Sequence, residues 1–441
     1  MANRKCYAAL RRGVKYWNQW RDKQSRIPLD LRGANLSDQS LMGINLVDVD
    51  LSGANLVKAN FSGANLAGAN LSYANLTGAN LTGSSLMGAN LTGAILVKAN
   101  SRSAELIGST INLGNFTEAD LRVANFDAVE SVGANFSQAN LKGAGFIGAN
   151  LTRANFSLAN LEDVDFSDAN LTRTNLTKAN LNFSKLNRTD LSEANLTKAN
   201  LQQASFIEAD LSEANLQQAN LQQANLQQAN LTKTDLAEGN LTQSNCSKVN
   251  FHRAYISQAN FSDANLYEAS LLETQACFTI FDRAILTGTC LEKLVIDRHT
   301  SFDNSICDYL YLQYDRARRR PQNPDNNLTP AEFTTIIQEF LETVEILFET
   351  ELNWSALISA VQKLESRYPT SIIQIKTVEV FGGDRFIVSL ILPSELSVAD
   401  VKKFFWHKYK LIFLAHKKLG FRANQLTQTH HNVIEQQNNA S

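Results

Sequence analysis

Large apolar residues recur along this chain every fifth position, beginning at Leu31 and ending at Ile296 without a break in register. Of the 54 positions in that series, 36 are Leu, 11 Phe and 3 Ile; Ser101, Ser131, Cys246 and Ala276 are the exceptions. Two residues before nearly every centre stands a small residue, Ala in 34 of the 54 cases, and between the two sits mostly Asn or Asp, so the repeat reads A-N-L-x-x. A period of five matches neither the 3.6 of a helix nor the 2 of a flat strand. The chain must therefore turn a corner every five residues. A square coil with one pentapeptide per side meets that requirement: the Leu/Phe centre fills the interior, Ala fits beneath the corner, and the other three positions face water. Coils stacked at the ordinary strand spacing of roughly 4.8 Å would give a rod of about 65 Å in which each coil touches only its neighbours. A disordered polar tract has no reason to keep 50 large apolar residues in one register.

Segments such as LSGANLVKANFSGANLAGANLSYANLTGANL and LSEANLQQANLQQANLQQANL resemble the pentapeptide-repeat family over roughly three fifths of the chain. The resemblance implies a right-handed quadrilateral β-helix, and hence a mainly β fold class. The stretch YWNQWR…IPLDLRGANL further resembles the start of many cyanobacterial members.

The flanks predict different structure. Tyr7, Leu10, Val14 and Trp17 form one helical stripe with Arg11, Arg12 and Lys15 off it, which predicts an N-terminal helical cap over 1–27, stopped by Pro28. The open end of a coil stack needs such a cover. The repeat occupies 28–303, where the register slips by one at Thr300–Phe302. Residues 304–328 read as a capping helix followed by a linker, with Arg316, Arg318, Arg319 and Arg320 ahead of Pro321 and Pro324. The Arg cluster could bind an anion or RNA, but a solvated linker paired with neighbouring acids is the preferred reading. A small α+β domain is expected over 329–422. Thr329-Pro330-Ala331-Glu332 opens a helix whose stripe runs from Phe333 to Leu347. A second helix follows around Ala356–Leu364. A hairpin of Ser371–Val380 and Arg385–Leu392 turns at Gly382-Gly383-Asp384, and a last helix runs from Ser397 to about Leu419, giving the order ααββα. This arrangement too resembles a recurrent cyanobacterial architecture. The tail over 423–441 is expected to be disordered.

Charge and chemistry narrow the function. Formal charge is −2 overall, but residues 1–30 carry +6 (8 Lys/Arg, 2 Asp/Glu), 31–297 carry −8 (17 against 25), and the remainder is balanced at 16 each. The basic N-terminus, without a continuous apolar stretch or a small-residue cleavage site, is not expected to be a signal peptide, and no run of 18 apolar residues predicts a membrane-spanning helix. The five cysteines, Cys6, Cys246, Cys277, Cys290 and Cys307, include no CxxC and point to a reducing compartment, with cytoplasm as the expected location. No phosphate-binding, zinc-hydrolase or nucleophile-elbow motif occurs. His407 and His416 lie nine residues apart, on opposite sides of a helix, and His252, His299, His430 and His431 have no ligand spacing, so no metal site, catalytic residue or cofactor site is assigned. The carboxylates of the repeat fall on outward positions with no cleft for acid–base work. The N-x-S/T triplets are by-products of the repeat, not glycosylation sites.

Three functions are compatible with this. A stiff, polar surface binds with little ordering cost, which favours a non-enzymatic scaffold for an unknown protein partner. Some members of the family that the chain resembles mimic DNA against a topoisomerase such as gyrase; duplex DNA carries one charge per about 1.7 Å, whereas a net −8 over about 65 Å is one per about 8 Å, which argues against that role and against nucleic acid as a partner. An activity housed in the C-terminal domain has no motif behind it.

Overall fold

The computed structural model describes residues 3–23, 29–314, 318–341, 343–348, 353–368, 373–380, 386–392 and 400–415. The chain divides into two compact units, Met1–Ala331 and Glu332–Ser441.

The first unit is a β-solenoid of four-sided coils. Parallel bridges join each residue before a centre to its equivalent 20 positions on, from Asp30↔Asp50 to Gln275↔Val295. Accounting for backbone donors explains the repeat. Around Leu31, the centre N–H donates to Asp50 O (2.7 Å), the Gly33 N–H to Ser52 O (2.9 Å), and the Ala34 N–H closes a turn onto Leu31 O (3.0 Å). The bridging N–H points the other way, as from Asp50 to Leu29 O (2.9 Å). One N–H per pentapeptide is left over, and the Asn or Asp side chain takes it: Ser52 N donates to Asp50 Oδ1 and Thr77 N to Asn75 Oδ1, both 3.0 Å. This side-chain turn is the reason for Asn and Asp before the centre. The third residue of every turn from Gly33 to Lys293 has a positive φ, between 53° and 79°, as a turn of type II demands.

The interior is dry. Nearly all centres and the small residues before them are buried. Two phenylalanine stacks run along facing sides, Phe116–Phe136–Phe156 with ring centroids 4.8 Å apart and Phe126–Phe146–Phe166 at 4.6 and 5.2 Å, edge-on to each other across the core. Ser101 and Ser131 place hydroxyls without partners into this interior. The phenylalanine stacks begin in these same coils. Most hydroxyls in place of the small Ala bond to backbone, as Ser84 does to Leu81 O (2.7 Å), while that of Ser109 does not.

The N-terminal stripe is two helices rather than one: α1 (Arg4–Leu10) and α2 (Val14–Arg21). Gly13, at φ 95°, turns the chain between them. Together they bury Cys6, Ala9, Leu10 and Trp17 and meet the open edge of the first coil. Asn3 N donates to Asp30 O, Trp17 Nε1 to Asn45 O (2.7 Å), and the Arg21 guanidinium to Asn45 O and Val47 O, while Asn18 Oδ1 accepts from Asn45 N.

Two expectations for the far end are corrected. The solenoid does not stop at 303. The extra residue is absorbed at Asp297, whose carboxylate accepts the Phe278 N–H (2.9 Å) where a backbone carbonyl would stand, and bridging resumes at a spacing of 21 to Tyr311. Nor do the described residues of 304–328 hold a helix. They form a two-stranded antiparallel pair, β1 (Leu310–Tyr311) with β2 (Arg319–Arg320), and return to the coil through Leu328 N, which donates to Asp308 O (2.7 Å).

Helix α3 (Pro330–Leu341) leads into the second unit, which continues with β3 (Thr343–Phe348), α4 (Trp354–Arg367), β4 (Gln374–Val380), β5 (Phe386–Ile391) and a helix over 400–415, here α5. Its order is αβαββα, not ααββα. The stripe read as helix through Leu347 breaks at Leu341, because Val344, Ile346 and Phe348 alternate into the core and β3 pairs with β5 along its full length. The sheet order is β3-β5-β4, all antiparallel neighbours. Its buried face packs with Leu357, Ala360 and Leu364 of α4 and Val401, Phe405 and Tyr409 of α5. The Gly382–Asp384 turn, Ser397, Leu419 and the tail over 423–441 lie outside the described residues.

Truncating a stacked ring, Phe136→Ala, is expected to cost about 3–5 kcal/mol, read as a drop in thermal midpoint. Trp17→Ala should act locally: amide exchange measured by mass spectrometry is expected to accelerate in the coil over 30–49 while the coils around Phe136 stay protected. Equal acceleration in both places would contradict the attachment described here.

Candidate interaction surface

Because centres and Ala face inward, every exposed group belongs to one of three kinds of column running along the solenoid. The first is the bridging position. Its Asn side chains form ladders, each Nδ2 donating to the Oδ1 20 residues earlier, as in Asn80 to Asn60 and Asn180 to Asn160 to Asn140. Where the bridging residue is Glu130, Gly145 or Ser205, a side chain one coil earlier takes over the spare N–H: Asn112 accepts from Val132 N, Asp127 from Ile147 N, and Asn187 from Ile207 N. Sequence reasoning missed these substitutes; the signal was an Asn or Asp 18 residues before each off-pattern position.

The second column is the left-handed turn position, and it divides the rod. Up to Gly148, glycine fills 13 of 24 such positions; from Arg153 to Lys293 only Gly288 does. Bare corners let large side chains lie along the wall. At Gly93 an added Cβ would come 2.6 Å from the Tyr73 ring, which covers it. Tyr73 (70% exposed), Ile95 and Leu113 (68%) are exposed along this edge. The later half carries ion pairs between residues 20 apart: Arg173 with Glu193, Arg188 with Asp168, Lys233 with Glu213, Arg253 with Glu273 and Arg283 with Asp263, at 2.6 to 2.8 Å. The guanidinium hydrogen bonds hold the Asp168, Glu193 and Asp263 carboxyls below their usual range. Arg32 does the same to Asp30, bringing it to about 2. Such exposed pairs each add little to stability, but they neutralise the acids in place.

The third is the first turn residue, where Gln217, Gln222 and Gln227 sit beside Gln218, Gln223 and Gln228. The glutamine run encircles three sides of one coil, as a girdle and not a flat patch. It is tied to adjacent coils by Gln203–Gln223–Gln243 and Gln218–Glu238 hydrogen bonds of 2.7 to 3.0 Å.

Other residues singled out in the sequence are scattered. Arg319 is in no ion pair among the described residues: it donates to Pro321 O and Asn323 O and lies 4.5 Å over the Tyr309 ring, so it holds its own loop. Arg318 is exposed and Arg316 lies outside the described residues. His299 stacks on Phe278 (4.5 Å), His252 is on the solenoid wall, His407 is exposed on α5, and His416, His430 and His431 are outside the described residues. Among the described residues no group of three His, Cys, Asp or Glu could hold a metal, and no helix is long and apolar enough to cross a membrane. Burial pushes the Cys246 and Cys307 thiols up to about 12, which keeps them protonated and unreactive.

Family models described as pentapeptide repeats match 44–122 and 189–293, and one described as a pentapeptide repeat region matches 131–196, so more than half the chain is covered. The chain belongs to the pentapeptide-repeat family. Similar solved structures include HetL, a pentapeptide repeat protein involved in heterocyst differentiation regulation from Nostoc sp. strain PCC 7120 (26% identity, 55% of this chain and 91% of that one, TM-score 0.21). Rfr23 from Cyanothece 51142 is 32% identical over 24% of this chain and 64% of that one, with a TM-score of 0.15. QnrB1, a plasmid-mediated fluoroquinolone resistance protein, is 20% identical over 46% and 89%, with a TM-score of 0.21. No curated protein matches the chain.

The lowered carboxylates set a pH dependence. Their folded pKa values lie below the unfolded ones, so the stability they add is present above about pH 4 and is lost as pH falls through the lowered folded values. A variant with Arg173→Gln, Arg188→Gln and Arg283→Gln is expected to melt slightly below the parent at neutral pH, with the gap closing once the three carboxylates are protonated in acid. A gap that persists unchanged into acid would show that the arginines act through packing instead.

Proposed function

We propose that this protein is a non-catalytic interaction scaffold whose working surface is the wall of the solenoid, with α1 and α2 as its N-terminal cap. The observation that carries this reading is the complete division of labour in the repeat. Three of every five side chains face outward on a backbone in which all five N–H groups are engaged wherever Asn or Asp precedes the centre, as on the sides of Asp50 and Asn75. A surface held this firmly loses little freedom on binding. The division between bare, glycine-cornered coils and charged coils offers a partner two chemically distinct stretches of one rod. A right-handed coil, as the family resemblance implies, and a cytoplasmic location for this scaffold are parts of the same proposal.

Mimicry of duplex DNA is the weaker reading. Several acids of the later half, among them Asp168, Glu193, Glu213 and Asp263, are matched by Arg or Lys one coil away, which interrupts any continuous negative stripe there. Stoichiometric protein is accordingly expected to leave gyrase supercoiling unchanged.

The scaffold reading is tested by affinity capture with the full chain and two wall variants, one with Tyr73→Asp and Leu113→Asp, the other with Gln218→Arg, Gln223→Arg and Gln228→Arg. At least one variant is expected to lose the partner retained by the parent while melting at a similar temperature. Retention of the same partner by both, or inhibition of gyrase, would overturn the assignment.

A further inference from the structure

Helix α5 is fastened to the core of the second unit by Val401, Phe405 and Tyr409, all buried. Tyr409 Oη also accepts the Asn353 N–H (3.0 Å), which ties it to the start of α4. The opposite stripe, Lys403, His407, Lys410 and Leu414, spaced i, i+4, i+7 and i+11, is exposed along its length. Lys402 and Leu411 flank it and are exposed as well. The helix carries four lysines against one acid, Asp400. Leu411 and Leu414 remain 52% and 55% exposed although they adjoin this basic face.

We propose that this face docks the chain on an anionic lipid surface, with the lysines at headgroup phosphates and Leu411 and Leu414 in the boundary beneath them. The pairing of the two residue types decides the partner. A nucleic-acid backbone would engage the lysines and leave both leucines in water, whereas the edge of a charged bilayer accommodates the two together. Charge complementarity supplies the attraction, and the leucines supply apolar area that a purely electrostatic contact lacks. Because α5 already rests on its own core, its outer face needs no folding step to bind. The helix would lie on the surface rather than span it, since no helix among the described residues is long and apolar enough to cross. The assignment is independent of the scaffold reading, which concerns the solenoid wall.

The test is co-sedimentation of the full-length chain with phosphatidylcholine vesicles, with or without phosphatidylglycerol. Binding is expected only to the anionic vesicles and should weaken as salt rises. Lys403→Gln with Lys410→Gln should lower the apparent affinity about thirtyfold. Leu411→Ser with Leu414→Ser should lower it about tenfold or more. All four positions are exposed, so both variants are expected to keep the parent's circular dichroism and melting temperature. Absence of binding to anionic vesicles would overturn the proposal, as would either variant binding like the parent. Competition of vesicle binding by duplex DNA or RNA, with the leucine variant unaffected, would assign the face to nucleic acid instead.

Discussion

Each pentapeptide brings five backbone donors into a structure with a dry interior, and a donor left unbonded there would cost free energy comparable to a lost hydrogen bond. The solenoid places two of them on the coil after, one on the coil before, one within its own turn and one on a side chain. Only a repeat of five residues with a left-handed turn position and an Asn or Asp ahead of the centre closes this account on every side. The rest of the solenoid follows from it: the parallel bridges at a spacing of 20, the inward Leu and Phe, and the outward columns.

The same constraint explains how the rod tolerates exceptions. Gly145 and Ser205 at bridging positions do not open a gap, because Asp127 and Asn187 on the preceding coil reach the spare N–H groups. An extra residue near Asp297 does not end the stack, because its carboxylate stands in for a backbone oxygen. Serine at two centres coincides with the start of the phenylalanine stacks. In the first two cases a side chain repairs what the backbone has lost, and the next coil resumes the pattern.

Function is written on the positions that this accounting leaves free. The turn column can hold glycine or a charged residue without changing the backbone, and the chain uses glycine largely in one half and ion-paired residues in the other. Membership of the pentapeptide-repeat family identifies the frame and not its partner. The second unit follows different rules: a three-stranded sheet buries one face under two helices, and the outer side of α5 keeps lysines and leucines in water.

How much of this was legible beforehand depends on the range of the interaction concerned. The period of five, the inward centres and the need for a cover at the N-terminus are local regularities, and the residues alone determined them. The break at Gly13, the strand over Thr343–Phe348, and the continuation past residue 303 were decided by contacts with distant residues: the open edge of the first coil, the partner strand β5, and the Phe278 N–H. The stripe from Phe333 to Leu347 satisfies a helix and, in its last third, a strand equally well, and only pairing with β5 separates the two. The ladders of Asn, Gln and ion pairs were invisible in the linear chain. Residues 20 apart become neighbours only once each coil has closed, so the surface that any partner meets is a product of the stacking itself.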